Sequence, residues 1–184
     1  MLQALIFDVD GTLSETEETH RAAFNQAFAD VCLGWIWDQA LYRRLLDVTG
    51  GKERIGYFLK DFDAPHPPEV SNEGPPLRSW IADLHARKTA IYNEMIDQGA
   101  AELRPGVEAL IGQARVAGVR LAIATTTSLP NVESLIRSTL GTNGLSYFDV
   151  IAAGDMVKAK KPAPDVYLLA LERLGLRAEN CLAL

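Results

Sequence analysis

Strand-like and helix-like segments alternate in the second half of the chain, and this alternation constrains the fold most. Apolar runs typical of buried strands occupy residues 119–124, 148–153 and 180–184, and helical patterns occupy residues 107–117, 131–140 and 165–174. Parallel strands need long crossover connections, which are usually helices, whereas antiparallel strands can be joined by tight turns. The alternation therefore predicts an α/β fold with a parallel sheet covered on both faces by helices.

A further apolar run at residues 2–9 predicts a first strand, and the long stretch after it is helical. Helices are expected at residues 15–28, 39–46, 52–62 and 78–97. Between the last two, prolines cluster with Gly74, which predicts an exposed loop over residues 63–76. The stretch is therefore an all-helical insertion between the first strand and the rest of the sheet.

The composition excludes several classes of protein. With 184 residues, of which 48% are hydrophobic and 23% are charged, the chain is typical of a globular protein rather than of a disordered or collagen-like one. The net charge of −6 disfavours nucleic acid and anionic membranes as partners. No apolar run approaches the roughly 18 residues of a membrane span, and no signal peptide is recognisable. We therefore expect neither partner and a cytoplasmic location, or the plastid stroma if a transit peptide has been removed.

The two cysteines, Cys32 and Cys181, lie far apart in the sequence and have no His or Cys close by. This spacing predicts neither a disulfide nor a zinc site. Both are expected to pack as small apolar side chains.

Carboxylates follow the first predicted strand, at the edge where open α/β sheets bind ligands. Asp8 and Asp10 belong to the sequence Asp-Val-Asp-Gly-Thr at residues 8–12. Alternate residues of an extended segment share a face, so both carboxylates can face one site. Two like charges at one site favour a bound cation, and Mg²⁺ is the natural cation for carboxylates that also face phosphate oxygens.

Hydroxyl groups and lysines follow the next two strands. Thr125, Thr126 and Thr127 precede a helix and offer hydroxyls and backbone amides to an anion, while Lys160 and Lys161 follow the third strand. Each feature alone has an ordinary explanation as a helix cap, a strand-end surface or a solvated charge. Because they occur at successive strand ends, they are expected to converge on one site.

These motifs resemble those of a known superfamily. Phe-Asp-Val-Asp-Gly-Thr-Leu at residues 7–13, Ile-Ala-Thr-Thr at 123–126 and Lys-Pro-Ala-Pro-Asp at 161–165 are similar to the first three motifs of the haloacid-dehalogenase-like (HAD) hydrolases. Residues 13–21 and 49–55 look most like the CbbY group, phosphatases of xylulose-1,5-bisphosphate. The resemblance implies a Rossmann-like, HAD-like core at residues 1–14 and 101–184, and a helical cap domain at 15–100.

By this resemblance Asp8 is the nucleophile that forms an aspartyl phosphate, and Asp10 is the general acid and base. Thr125 and the Thr126 amide would hold the transferring phosphoryl group, and Lys161 would offset its charge together with Mg²⁺ bound by Asp8 and Asp10. The second carboxylate also disfavours a dehalogenase, because a departing halide needs no proton.

The cap is expected to select the substrate, a phosphorylated sugar. The candidate contact residues are Glu17, His20, Gly50, Gly51, Lys52, Arg54 and Lys88. The glycine pair would let backbone amides approach an anion, and the basic residues after it would bind a second phosphate. A structural role for the histidine and a solvated surface position for each cation remain alternatives.

The superfamily's fourth motif places acidic residues after the fourth strand, where they complete the magnesium site. Here that strand begins at Cys181 and the sequence stops at Leu184, so the expectation is an incomplete core, either in a fragment of a longer protein or in a degraded relative. Glu179 lies at the wrong end of the strand to substitute, and Asp155 is expected to order the loop near Lys161. A complete chain is expected to be a monomer.

The sequence favours a magnesium-dependent sugar-phosphate phosphatase. One alternative is a phosphomutase of the β-phosphoglucomutase kind, which shares both aspartates and the cap. Another is a non-catalytic remnant that binds phosphate or a partner protein without turnover.

Overall fold

The computed structural model describes residues 1–62, 64–65, 70 and 75–184. The chain forms two compact units, one made of Met1–Glu17 with Ile96–Leu184 and the other of Glu18–Met95. The second unit begins and ends a few residues inside the helical insertion expected from the sequence.

The first unit is built on a four-stranded parallel sheet with the order β3-β2-β1-β4. The strands are β1 (Ala4–Phe7), β2 (Arg120–Ala124), β3 (Val150–Ala152) and β4 (Cys181–Ala183). In the register of the central pair, Phe7 lies opposite Ile123, so both strands end at the same edge of the sheet. The α/β fold with a parallel sheet that the sequence predicts is thereby confirmed.

Helices connect the strands of the first unit: α5 (Val107–Val116), α6 (Leu129–Leu140) and α7 (Asp165–Leu174). One face of the sheet packs on α7, where the small side chains of the strands meet Val166, Ala170 and Leu174. Every residue of β1 is buried, as expected for a strand covered on both faces.

The second unit is helical, with α1 (Glu17–Asp30), α2 (Gln39–Leu45), α3 (Gly51–Asp61) and α4 (Pro75–Asp97). Its core is unusually aromatic, and its fully buried large side chains include Phe24, Phe28, Trp37 and Leu45. Trp37 contacts Phe28 edge to face, with ring centroids 4.9 Å apart. Such contacts add to the energy of burial and give the helices one preferred packing.

Two expectations about local structure differ from what the structure shows. The exposed loop expected over residues 63–76 is confirmed only in part: Pro65 is exposed and lies outside any helix or strand, whereas Ala64 is buried and Pro75 and Pro76, though exposed, begin α4. Proline suits a first helical turn, where its missing N–H leaves no bond unmade. Residues 63, 66–69 and 71–74 of that loop lie outside the described residues.

The cysteines also differ from expectation, since Cys32 is exposed and Cys181 is only half-buried. Cys32 follows α1 in a turn and has a positive φ of 57°, which is uncommon for a residue other than glycine. None of the helices in the described part of the chain has the length and apolar character needed to cross a membrane.

Candidate active site

The candidate site lies in the first unit, where β1 and β2 end side by side. Lys161 Nζ is 2.9 Å from Asp8 Oδ2 and donates a hydrogen bond of 2.9 Å to the Ala124 carbonyl. One lysine therefore joins the loop that follows β1 to the last residue of β2. The Lys161 ammonium also lies 4.8 Å from the centre of the Tyr167 ring, which favours a cation at that place.

Two donors hold the Asp8 carboxylate in place, and its side chain stays partly exposed to solvent. Its Oδ1 accepts a hydrogen bond of 2.8 Å from the Val9 amide, and its Oδ2 pairs with Lys161. The side chain of Asp8 keeps 30% of its surface exposed and that of Lys161 keeps 19%. A ligand can therefore reach a carboxylate whose direction two protein donors already set.

Asp10 sits in a tight turn that its neighbours hold in place. Thr16 donates a side-chain hydrogen bond to Asp10 Oδ1, a contact that the sequence did not reveal. Gly11 adopts a positive φ of 77°, which only glycine adopts without cost, and its amide donates to the Ser14 carbonyl at 2.8 Å. The turn presents Asp8 and Asp10 on one short segment after β1.

Arg104 braces the same turn and was not singled out from the sequence. Its guanidinium donates to the Gly11 carbonyl and pairs with Glu15 at 2.9 Å, and its amide donates to the Leu13 carbonyl at 2.8 Å. No local pattern predicts these contacts, because their partners are distant in sequence.

The threonine loop, residues 125–127, follows β2 directly. Thr125 is fully buried, and its hydroxyl accepts a hydrogen bond of 3.3 Å from the Thr127 amide. The Thr125 amide is not free for an anion as expected, because it donates to the Ala152 carbonyl at 3.0 Å and so extends the pairing of β2 with β3. Thr126 is half-buried. Any contact of Thr125 with an anion must therefore come from its hydroxyl.

The loop after β3 presses against the threonine loop. The Gly154 amide donates to the Thr127 carbonyl at 2.8 Å, and a Cβ atom at Gly154 would lie only 2.1 Å from the Thr126 carbonyl oxygen. Asp155 was expected to order the loop near Lys161, and this is wrong. Its carboxylate instead accepts from the Leu129 amide at 3.2 Å, because the first turn of a helix has unpaired amides that attract an acidic side chain.

Asp8 and Asp10 are chemically suited to Mg²⁺. Both offer carboxylate oxygens, and Mg²⁺ in proteins commonly uses one or two carboxylates with water and phosphate oxygens completing its shell. Among the residues that the structure describes, no group of three or more His, Cys, Asp or Glu side chains could hold a metal ion. Two carboxylates suit a hard cation whose remaining ligands are water and phosphate oxygens.

In the second unit, His20 and Lys88 form a buried pair. Lys88 is 3% exposed and His20 is 8% exposed, and Lys88 Nζ lies 2.6 Å from His20 Nδ1. The His20 ring stacks on Tyr92 at 4.1 Å, and the Lys88 ammonium lies 4.9 Å from the centre of the Phe24 ring. A solvated surface position for Lys88 is thus wrong, because aromatic faces surround its ammonium. Glu17 is half-buried at the start of α1.

Arg54 is held by the protein itself. Its guanidinium donates to the carbonyls of Leu45 and Val48 at 3.1 and 3.3 Å, and to the Tyr42 hydroxyl at 3.0 Å. These contacts satisfy carbonyl groups at and beyond the end of α2, which lack partners within the helix. The phosphate contact of Arg54 stays a prediction that competes with this structural role.

The glycine pair before Arg54 has a partner that the sequence did not reveal. A Cβ atom at Gly51 would lie 2.3 Å from His85 Nε2, so the space of the missing side chain is filled by an imidazole. Gly50 has a positive φ of 98°, as the sharp turn before α3 requires. Lys52 is exposed, and its phosphate contact remains a prediction.

A family model described as haloacid dehalogenase-like hydrolase matches residues 2–184. The chain therefore belongs to the HAD-like hydrolases, the class to which its parallel sheet and its Asp-x-Asp turn also point.

Individual relatives narrow this class. Protein CbbY of Cereibacter sphaeroides is 50% identical over all of this chain and 76% of its own length. Phosphorylated carbohydrates phosphatase of Thermotoga maritima is 32% identical over 97% of this chain and 74% of its own length. A crystal structure of a CbbY mutant from Rhodobacter sphaeroides in complex with xylulose-1,5-bisphosphate has a TM-score of 0.90 and 50% identity, covering all of this chain and 77% of that one. The chain is thus a HAD-type phosphatase of the CbbY group.

Proposed function

We propose that the protein hydrolyses a phosphate ester of a sugar bisphosphate, xylulose-1,5-bisphosphate, with Asp8 as nucleophile and Mg²⁺ as cofactor. The pairing of Asp8 Oδ2 with Lys161 Nζ at 2.9 Å carries this proposal. A half-open carboxylate beside an ammonium is suited to attack a phosphoryl group, because the cation offsets the negative charge that the two anions bring together.

In the first step, an Asp8 oxygen attacks phosphorus, the bond from phosphorus to the sugar oxygen breaks, and an aspartyl phosphate forms. Asp10 gives its proton to the departing alkoxide, which is otherwise a poor leaving group. In the second step, Asp10 takes a proton from water as that water attacks the phosphoryl group. Phosphate leaves and the Asp8 carboxylate is restored.

The other residues of the first unit have supporting roles in this proposal. Thr16 holds Asp10 through its carboxylate, and Thr125, with the Thr126 amide, orients the phosphoryl group. Mg²⁺, held by Asp8 and Asp10, would neutralise part of the charge of the phosphoryl oxygens. Lys161 keeps Asp8 in line by holding it to the end of β2.

The substrate is inferred from similarity and from the basic residues of the second unit. A relative with 50% identity over the whole chain was crystallised with xylulose-1,5-bisphosphate. A bisphosphate needs cations or amides for its second phosphate, and Gly50, Gly51, Lys52 and Arg54 are the candidates for it. Glu17, His20 and Lys88 are the candidates for contacts with the sugar hydroxyls.

Phosphate release from a panel of sugar phosphates, with Mg²⁺ and with a chelator, tests the proposal on the protein as its gene encodes it. We expect Mg²⁺-dependent release, fastest with xylulose-1,5-bisphosphate. Lys161→Gln should lose most activity, whereas Lys158→Gln, a matched change at an exposed lysine, should not. Conversion of a sugar phosphate into its isomer with little free phosphate would point to a phosphomutase, and binding without turnover would point to a non-catalytic protein.

A further inference from the structure

Asn131 is a buried polar residue in the first turn of α6, next to the threonine loop. The residue is only 4% exposed, and its side-chain Nδ2 donates a hydrogen bond of 3.0 Å to Thr127 Oγ1. Within the described structure its Oδ1 is buried without a hydrogen-bond partner. A buried carbonyl without a partner costs stability, which an apolar side chain at this position would avoid.

The hydrogen bond from Asn131 makes the Thr127 hydroxyl an acceptor on that side and leaves its proton for another group. A hydroxyl has one proton to donate and two lone pairs, and here a lone pair is occupied by the amide of Asn131. The proton of Thr127 therefore points away from Asn131. The Thr127 amide in turn donates to Thr125 Oγ1, so the Thr125 hydroxyl is also an acceptor within the loop and has its proton left for another group.

The hydroxyl donors are important for anion binding because the first backbone amide of α6 already donates a hydrogen bond to Asp155. Asp155 accepts the hydrogen bond from Leu129, the first residue of the helix. The positive end of α6 is therefore partly neutralised by a carboxylate. Anion binding in this loop consequently depends more on hydroxyl protons than it would at an uncapped helix.

We propose that Asn131 is a positioning residue of the phosphatase: by donating to Thr127 Oγ1 it turns the Thr127 hydroxyl into a donor toward the phosphoryl group. The proposal rests on the proposed function, in which the threonine loop holds that group. Asn131 itself need not touch the substrate.

The test is a double-mutant cycle in which calorimetry measures the dissociation constant for inorganic phosphate in the presence of Mg²⁺. Asn131→Ala should weaken phosphate binding about fivefold, because the hydroxyl is no longer turned toward the anion. In a Thr127→Val background the same change should have no further effect, since no hydroxyl remains to be turned. Asn131→Asp, which would accept the Thr127 proton, should weaken binding more than Asn131→Ala.

Controls separate positioning from folding and charge. The unfolding midpoint of each variant shows whether it folds, and Asn143→Asp introduces the same charge at an exposed position. Equal losses with and without the Thr127 hydroxyl, or no loss at all, would overturn the role of Asn131 and leave the proposed function standing. Absence of phosphate binding in the unmodified protein would instead contradict the proposed function, and the role of Asn131 would fall with it.

Discussion

Replacement of Gly154 by alanine is a sharp test of how the threonine loop is held. A Cβ atom at Gly154 would lie 2.1 Å from the carbonyl oxygen of Thr126 and 2.6 Å from its carbonyl carbon. These neighbours are backbone atoms, so no side-chain rotation can relieve the overlap. Gly154 is not among the glycines with positive φ, so its own backbone accepts alanine and the cost is purely steric.

The expected loss in the free energy of unfolding follows from this steric overlap. Overpacking of this kind typically costs about 1–3 kcal/mol, and a Gly to Ala change regains about 0.4–1 kcal/mol by restricting the unfolded chain. We expect the free energy of unfolding to fall by about 1–2 kcal/mol. Relief requires the Thr126 carbonyl to move by about 1 Å, and such a misplacement can reduce kcat/KM roughly 100-fold.

Gly112→Ala is the matched control, because Gly112 is exposed within α5 and a Cβ atom there meets nothing within 4 Å. It should raise the free energy of unfolding by about 0.5–1 kcal/mol and leave activity unchanged. Urea denaturation and phosphate release measure the two quantities. Full activity in Gly154→Ala would refute the idea that the loop after β3 sets the position of the threonine loop.

The remaining predictions concern single residues. Asp8→Asn should abolish phosphate release while the protein stays folded, and Asp10→Asn should lower kcat about 100- to 10,000-fold, both in steady-state assays. Arg54→Met should lower the free energy of unfolding in urea by about 1–3 kcal/mol, and unchanged stability with weaker bisphosphate binding would assign the residue to substrate instead. Burial raises the pKa of the Cys181 thiol, so at a pH below that pKa Cys181 should react with a disulfide reagent more slowly than the exposed Cys32. The reaction rate of Cys181 should rise with pH. Equal rates for the single cysteine that remains in each of the two Cys→Ser variants would contradict this difference.

Hydrophobic pattern determined most of the fold that could be predicted. The runs at residues 2–9 and 119–124 contain β1 and β2, because a buried strand must be continuously apolar. Gly118 and Gly175 mark the ends of α5 and α7 with positive φ, a position that favours glycine in any tertiary setting.

Partners of polar side chains were harder to predict, because they depend on tertiary packing. The sequence shows that Asp155 follows the third strand, but no local pattern indicates that its partner is the Leu129 amide at the start of α6. A solvated surface position for Lys88 is one expectation from the sequence, because no residue close to it in the sequence indicates the contact with the Phe24 ring. For the same reason the close approach of His85 to Gly51 had no detectable signal.

The location of the candidate site was easier to predict, because the ends of parallel strands lie at one edge of the sheet whatever the details of side-chain packing. Asp8 and Lys161 are distant in sequence, and both follow strands of one sheet. The contacts that brace them, from Thr16 and Arg104, involve common residue types without a distinctive pattern. The chemical roles of all these residues remain predictions.

Trapping of the covalent intermediate tests the central claim, that Asp8 carries the phosphoryl group, most directly. Protein mixed with xylulose-1,5-bisphosphate and Mg²⁺ is quenched with borohydride, which reduces an aspartyl phosphate to homoserine, and the peptide containing residues 8–10 is sequenced by mass spectrometry. The account predicts homoserine at position 8, absent when substrate is omitted and absent in Lys161→Gln if that variant is inactive. Substrate turnover with no modification at Asp8, or with modification at Asp10 instead, would contradict it.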